Sequence, residues 1–200
     1  MRSAEFHDLP LQPHPAGGAG PLHSLRVSGT LDADGRITLD YLLEGGLLRV
    51  RLPEPARAPR RRDGLWRHTC VELFARRAGI ASYLEFNFSP AGDWAAYAFD
   101  AYRQGQTRPE LAQPGITLQA LGAGRLRLQA RAQLPPGAAA AAHDGSWQLG
   151  FAAVIETSDG SLSYWAAHHP AAQPDFHAPG NFSLVLEPGG GTAGTRASVP

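Results

Sequence analysis

Apolar and polar residues alternate with a period of two along most of this 200-residue chain. That period is typical of strands with one face buried and one face turned outward, whereas helices show a period near 3.6. Runs of strand length begin with residues 22–32, 36–45 and 47–54 and continue to 181–188. The pattern therefore predicts an all-β protein of about nine or ten short strands.

Glycine and proline residues separate these runs, and the chain contains 23 Gly and 17 Pro. Turn signals that recur every 8 to 12 residues or so are typical of an antiparallel β-sandwich or a closed barrel. We expect one β-sandwich domain, jelly-roll-like in topology, over residues 22–187. Residues 1–21 are rich in Pro, Gly and His and predict a flexible N-terminal segment, while residues 188–200 predict a disordered tail.

Strand alternation also assigns side chains to faces. In the run 82–90 the apolar side chains that share one face are Leu84, Phe86 and Phe88. Glu85 and Asn87 then lie on the opposite face. In the preceding run, Glu72 lies opposite Val71, and Trp66 shares the parity of Glu72 if the strand begins that early.

The polar faces of these two runs predict a common surface that carries Trp66, Glu72, Glu85 and Asn87. Such a surface suits a sugar, because pyranose rings pack their C–H faces on aromatic rings and their hydroxyls need carboxylate or amide partners. The alternative is that Trp66 belongs to the core and that the carboxylates face water. Glu72 and Glu85 could also form the carboxylate pair of a glycoside hydrolase.

A second polar and aromatic cluster lies in YWAAHHPAAQPDFH, residues 164–177. Its possible metal ligands are His168, His169, Asp175 and His177, which are residue types that bind zinc or iron. Their spacing matches no specific metal motif, so a Pro-rich loop whose imidazoles bond backbone carbonyls is the alternative. Trp165 could add an aromatic wall to a binding site.

Composition excludes some classes of partner. Lys and Arg together number 18, as do Asp and Glu, so the net charge gives no reason to expect a nucleic acid. The run Arg60 to Arg62 is read as a solvated loop. The longest apolar stretches fall far short of the ~20 residues that cross a bilayer. A single Cys and an N-terminus without an apolar signal region predict a cytoplasmic protein.

Several motifs together resemble the bacterial DOMON-like domains, a branch labelled after MurB-type reductases and related to the family 9 carbohydrate-binding modules. They are LWRHTCVELF, YLEFNFSPAGDWAAYAFDAYR, AAVIE and YWAAHHPAAQPDFH. The resemblance covers roughly residues 22–187. It implies a β-sandwich that holds a sugar or a haem in a pocket on one side.

Through this resemblance, Trp66 with Glu72 matches the ring and acidic residue that hold a terminal sugar in the sugar-binding relatives. Trp165 is assigned as the opposing ring, with Glu85 and Asn87 completing the polar contacts. Haem-binding relatives use an axial Met, commonly with a His. The only Met here is Met1, which excludes a Met-ligated haem, so any haem would need one or two His ligands.

The sequence thus predicts a non-catalytic module that binds a small ligand, most plausibly a carbohydrate, without an organic cofactor. The predicted ligand-binding residues are Trp66, Glu72, Glu85, Asn87, Trp165, His168, Asp175 and His177. One alternative is a hydrolase that uses a divalent metal or the two Glu residues. The other is a scaffold that recognises a protein partner through a strand edge or through the loop at Arg60 to Arg62.

Overall fold

The computed structural model describes residues 3–135, 145–187 and 194–195. The strands are β1 (Ala4–Pro13), β2 (Leu22–Leu31), β3 (Arg36–Gly45), β4 (Cys70–Arg77), β5 (Tyr83–Phe88), β6 (Trp94–Phe99), β7 (Gly115–Gly122), β8 (Arg125–Gln133), β9 (Trp147–Glu156), β10 (Leu162–Ala166), β11 (Leu184–Leu186) and β12 (Gly194–Thr195). Short 3-10 turns occupy Leu47–Arg49, Leu65–Arg67 and Pro179–Asn181. Within the described ranges, no helix has the length and apolar character needed to span a bilayer.

The strands form two sheets, and every pairing is antiparallel. Sheet A has the order β1-β2-β3-β8-β7, and sheet B has the order β6-β5-β4-β9-β10. Strand β1 joins the two, because its first part pairs with β2 and its last two residues pair with β10. Strand β11 pairs with the start of β9. The predicted antiparallel β-sandwich is confirmed.

The main core lies between the inner faces of the two sheets. Phe6 of sheet A packs on Phe151 of sheet B with 5.1 Å between ring centroids. The buried hydroxyl of Tyr41 donates a hydrogen bond across the core to the backbone oxygen of Glu72, at 2.7 Å. Each large apolar side chain that is fully buried contributes roughly 1.5 to 3 kcal/mol to folding. Sheet B is thereby fixed from behind, at the strand that carries Glu72.

The N-terminal segment differs from the expected flexible residues 1–21, because it contains β1. Phe6 and Leu11 are buried in the main core. The pairing with β2 shifts register between Phe6 and Leu9, and Asp8 between them has a φ of 58°. This bulge breaks the alternation of apolar residues. A search for period two therefore passes over the strand.

Two further segments bear on the predictions. Residues 47–54, expected to form a strand, contain the turn Leu47–Arg49 and leave the side chain of Leu48 fully exposed. Of this run, Val50 makes an isolated bridge to Thr157. In the expected tail, 188–200, only Gly194–Thr195 is described, and it pairs with β11. The rest of that tail lies outside the described residues.

Candidate functional site

The outer face of sheet B, which is turned away from the core, carries a row of mostly small side chains around one carboxyl group. Across neighbouring strands, Glu72 pairs with Asn87 on one side and with Ala152 on the other. The row continues outward to Ala95 beyond Asn87 and to Ala166 beyond Ala152. Because alanines flank the two polar residues, open space remains above Glu72.

A segment after β10 covers one end of this face. Phe182 packs on Phe74 with 6.3 Å between ring centroids. Gly150 lies so close to this segment that a Cβ would stand 2.6 Å from the backbone oxygen of Asn181. The uncovered part forms a cleft of about 890 Å³, which is within the size range of small-ligand sites. We refer to it as the cleft.

Glu85 lies at the floor of the cleft and is held by its neighbours. Its Oε1 accepts a hydrogen bond from Nδ2 of Asn87 at 2.6 Å, and its Oε2 lies 3.6 Å from Nε2 of His177. Burial raises the pKa of Glu85, although the bond from Asn87 and the charge of Arg103 oppose the rise. Asn87, which is fully buried, thus positions Glu85 and leaves it open to the cleft.

Glu72 shares the floor but has no such partner. Its side chain is 2% exposed and lines the cleft. Within the described part of the chain, its carboxyl makes neither a hydrogen bond nor an ion pair. Burial and the nearby charge of Glu85 raise the pKa of Glu72 well above its usual value. A ligand that bonds this carboxyl would meet a group whose burial has already removed part of its hydration.

His177 closes the floor between aromatic rings. Its ring contacts Phe74 and Phe99 at centroid distances of 5.2 and 5.1 Å. Its Nδ1 lies 2.8 Å from the hydroxyl of Tyr83. Burial and the charge of Arg103 lower the pKa of His177 to about 4. The imidazole is therefore neutral at physiological pH and supplies no positive charge to the two carboxyls.

Aromatic and charged side chains form the walls and the rim of the cleft. Trp66, in the turn before β4, is 49% exposed and lines the cleft. Tyr164 of β10 lines another part of the wall. Tyr97 donates a hydrogen bond to Asp63 at 2.8 Å, which fixes its ring in the wall. The cleft thus offers flat rings above a polar floor.

The structure brings together most of the residues predicted from β4 and β5. Trp66, Glu72, Glu85 and His177 line the cleft, and Asn87 lies directly behind it. Asp175 does not line the cleft.

Asp175 instead holds Arg103 at the rim, with 2.8 Å between Oδ1 of Asp175 and Nη2 of Arg103. It also accepts a hydrogen bond from the hydroxyl of Tyr102 at 2.6 Å. These bonds and the positive charge of Arg103 lower the pKa of Asp175. Asp175 is therefore ionised at neutral pH, and its role at this site is to position Arg103.

Trp165 is not the second ring of the site. Its side chain is 2% exposed in the main core, where the indole N–H donates to Oγ of Ser163 at 3.1 Å. Its neighbour Tyr164 points to the other face of sheet B and lines the cleft. The ring that β10 places in the wall of the cleft is therefore that of Tyr164, one position before Trp165.

The proposed metal ligands are not brought together. Nε2 of His169 lies 2.8 Å from the backbone oxygen of Gln12, and its ring stacks edge-on against His14. His168 lies against Gly180, away from the cleft. Within residues 3–135 and 145–187, no group of three or more His, Cys, Asp or Glu side chains is placed to hold a metal ion.

Sequence reasoning missed several residues of the cleft, namely Tyr97, Arg103, Tyr164 and Phe176. Alternation in WAAYAF could have placed Tyr97 on the outer face, because Trp94 and Ala96 belong to the core. The positions of the other three residues depend on which distant segments of the chain pack together, and sequence periodicity does not show this.

The arginine run lies in a loop, as expected, with Arg60 and Arg62 exposed and Arg61 partly buried. Arg61 lies over the ring of Trp94, 5.2 Å from its centroid, and also bonds backbone carbonyls. Arg62 pairs with the buried Asp93 at 3.0 Å. These contacts fix the loop 53–64, which forms one wall of a second cavity of about 640 Å³ beside the cleft.

Comparisons with known proteins bear on the fold. Neither a protein-family model nor a curated protein matches the chain significantly. Among solved structures, the chain is similar to one from Bacteroides uniformis ATCC 8492 described as a "putative carbohydrate-binding protein". The identity is 15%, the match covers 86% of this chain and 83% of that one, and the TM-score is 0.53. At this identity the likeness shows a shared fold.

Proposed function

We propose that the protein is a carbohydrate-binding module that holds its ligand in the cleft of sheet B without catalysing a reaction. The observation that carries the proposal is the floor of the cleft, where Glu72 and Glu85 are buried and open to the ligand beneath the rings of Trp66 and Tyr164. Polar groups that converge below aromatic walls are the arrangement that a sugar requires.

Each part of the cleft has a role in this proposal. Trp66 and Tyr164 present flat apolar surfaces to the C–H faces of a pyranose. Glu85, oriented by Asn87, accepts from one or two sugar hydroxyls, and Glu72 bonds a further hydroxyl. Hydrogen bonds to carboxylates contribute about 1.5 to 3 kcal/mol each when they replace bonds to water.

Two comparisons support the proposal without deciding it. The solved structure with the similar fold carries a carbohydrate-binding description, and its match spans most of both chains. The motifs that resemble DOMON-like domains include the strand segments that form the floor of the cleft. The assignment to DOMON-like domains, or to a relative of the family 9 modules, is part of this proposal.

The test is a thermal-shift screen with mono- and disaccharides, followed by calorimetric titration of each hit. A ligand at about 100 times its dissociation constant stabilises the folded state by roughly 2.7 kcal/mol. For a chain of this size, the melting temperature should rise by roughly 5 to 11 °C. We expect Trp66→Ala to weaken binding at least tenfold, because the ring is half exposed and supports a ligand rather than the core.

Leu48→Ala is the matched control, since Leu48 is a large apolar side chain that is exposed far from the cleft. Both variants should keep the melting temperature of the free protein within a few degrees. If Trp66→Ala binds the sugar as tightly as the wild type does, the cleft is not the binding site.

One observation favours a second candidate, glycoside hydrolysis. Two carboxyls interact in one cleft, and the charge of Glu85 contributes to the raised pKa of Glu72. Such pairs can divide the acid and nucleophile roles between them. Release of the aryl group from chromogenic glycosides, lost in Glu85→Gln, would establish this activity in place of simple binding.

A further inference from the structure

The side chain of Glu72, on the floor of the cleft, has no partner among the described residues. Its carboxyl is almost fully buried, lines the cleft, and makes no hydrogen bond or ion pair with any described residue. Buried carboxyls in folded proteins are normally paired or hydrogen-bonded, because an isolated one costs several kcal/mol. The cleft is open above Glu72, so a ligand bound there can supply the group that satisfies this carboxyl.

The charged groups around Glu72 do not supply the missing positive charge. On β5, Glu85 adds a second negative group. On the covering segment, His177 is neutral because its pKa is lowered to about 4. On β4 itself, Cys70 is fully buried and the pKa of its thiol is raised by burial and by the two carboxyls, so the thiol stays neutral.

The arginines at the rim are held by other partners. Arg103 is paired with Asp175 at 2.8 Å, and Arg108 with Asp63 at 3.2 Å. Arg67 lies over the ring of Trp66, 5.2 Å from its centroid. The chain has no lysine, since all 18 of its Lys and Arg residues are Arg. Among the described side chains, therefore, no cation pairs with Glu72 on the floor of the cleft.

We infer that the cleft selects sugars that carry a protonated amine, with the ammonium group bound between Glu72 and Glu85. This inference rests on the proposed function and names the class of carbohydrate. An ammonium has three donors and one positive charge, so it can bond both carboxyls and offset their repulsion. A neutral hydroxyl can donate to only one of them and leaves the charge uncompensated.

The pH dependence of binding distinguishes an amine from a neutral sugar. Because burial raises the pKa of both carboxyls, the floor keeps a proton at pH values where exposed carboxyls have lost theirs. An ammonium binds to the ionised form, so its binding must release that proton and tighten as the pH rises. His177, with a pKa of about 4, does not titrate in this range. Binding of a neutral sugar releases no proton.

The experiment compares glucosamine, N-acetylglucosamine and glucose by isothermal titration calorimetry of the full chain. We expect glucosamine to bind at least about tenfold more tightly than the other two, because it adds charge-assisted bonds. Its affinity should rise as the pH is raised from about 4.5 to about 7, a range in which amines remain largely protonated. Titrations in two buffers of different ionisation enthalpy measure the released proton directly.

Glu72→Gln should remove both the preference for glucosamine and the proton release, so that the variant binds glucosamine no more tightly than glucose. Glu54→Gln, at an exposed carboxyl outside the cleft, is the matched control and should behave as the wild type. Equal affinity for all three sugars would overturn the amine assignment and leave the carbohydrate site intact. Stabilisation by Ca²⁺ alone would assign the carboxyls to a metal ion instead. The absence of binding by any sugar would contradict the proposed function as well.

Discussion

Two carboxyls at the floor of the cleft make the stability of the protein depend on pH. Burial and the neighbouring Glu85 raise the pKa of Glu72 in the folded state above the value near 4.5 that it has when exposed. In the range between these two values, the folded chain keeps a proton that the unfolded chain releases. Rising pH therefore favours the unfolded chain over this range.

Glu72→Gln should remove this dependence, because glutamine has the same shape and does not ionise. We expect the free energy of unfolding of the variant to exceed that of the wild type by an amount that grows as the pH rises above about 4.5. The growth should be at most about 1.4 kcal/mol for each pH unit. Urea unfolding of both proteins at a series of pH values measures the difference.

His177 also makes the free energy of unfolding depend on pH, but in the opposite direction to Glu72. Because His177 is present in both proteins, its contribution cancels when the variant is compared with the wild type. Its folded pKa of about 4 is lower than the usual value of 6.5, so its stabilisation is lost as the pH falls through this interval. Glu54→Gln, which changes an exposed carboxyl outside the cleft, is the matched control for the substitution itself. A constant offset between Glu72→Gln and the wild type across the series would contradict the raised pKa.

Trp66 and Trp165 show that residue type alone does not predict which aromatic rings line a binding site. Both Trp66 and Trp165 were assigned to the ligand, but only Trp66 lines the cleft. In SLSYWAAHH, Tyr164 and Trp165 point to opposite faces of β10, and either ring could have been the inward one. Which ring is buried depends on which face of β10 packs against the core, and the sequence of this strand alone does not show which face that is.

At the scale of strands, the alternation of apolar and polar residues correctly predicted which face of the sheet each side chain occupies, wherever the strand pairing is regular. The sequence placed Leu84, Phe86 and Phe88 on the core side; Phe86 and Phe88 are buried in the main core, and the partly buried Leu84 packs against it. It placed Glu85 and Asn87 on the opposite side, which is where the cleft lies. It failed for β1, where the bulge at Asp8 shifts the register of the pairing with β2.

Strand β1 should contribute substantially to stability, because it joins both sheets and places Phe6 in the main core. Phe6→Ala removes a ring that is 4% exposed and packs on Phe151. We expect a loss of about 3 to 5 kcal/mol in the free energy of unfolding, the usual cost of removing a buried phenylalanine ring. Chemical denaturation measures this loss.

The neighbouring Glu5 provides a matched control on the same strand. Its side chain is 54% exposed, and its Oε2 lies 3.6 Å from Nε2 of His7 at the surface. Glu5→Ala should change stability by no more than about 0.5 kcal/mol. Similar small losses in both variants would mean that the N-terminal segment is as mobile as its composition predicts.

At the scale of the whole molecule, the cleft is assembled from segments that lie far apart in the chain. The turn at Leu65–Arg67, the strands β4 and β5, Tyr164 and the segment around His177 each supply part of it. The composition and spacing of single segments predicted the floor, which lies on two neighbouring strands. The walls and the cover depend on long-range packing, so they could be found only in the folded structure.

The architecture also predicts where the native protein opens first. Strand β9 pairs with β4, β10 and β11, and nearly all of its residues are buried. Strand β7 pairs only with β8 among the described strands, and most of its residues are exposed. Free energies of local opening range from near zero at such edges to the full stability in central strands.

Hydrogen exchange followed by mass spectrometry should therefore show β7 exchanging through local opening, at a rate that changes little with low concentrations of denaturant. Peptides from β9 should exchange only through global unfolding, with a denaturant dependence equal to that of equilibrium unfolding. A sugar bound in the cleft should slow exchange in β4 and β9 and leave β7 unchanged, because β7 lies at the far edge of sheet A. If the ligand slows exchange in β7 instead, it binds at that edge, and the cleft is not the site.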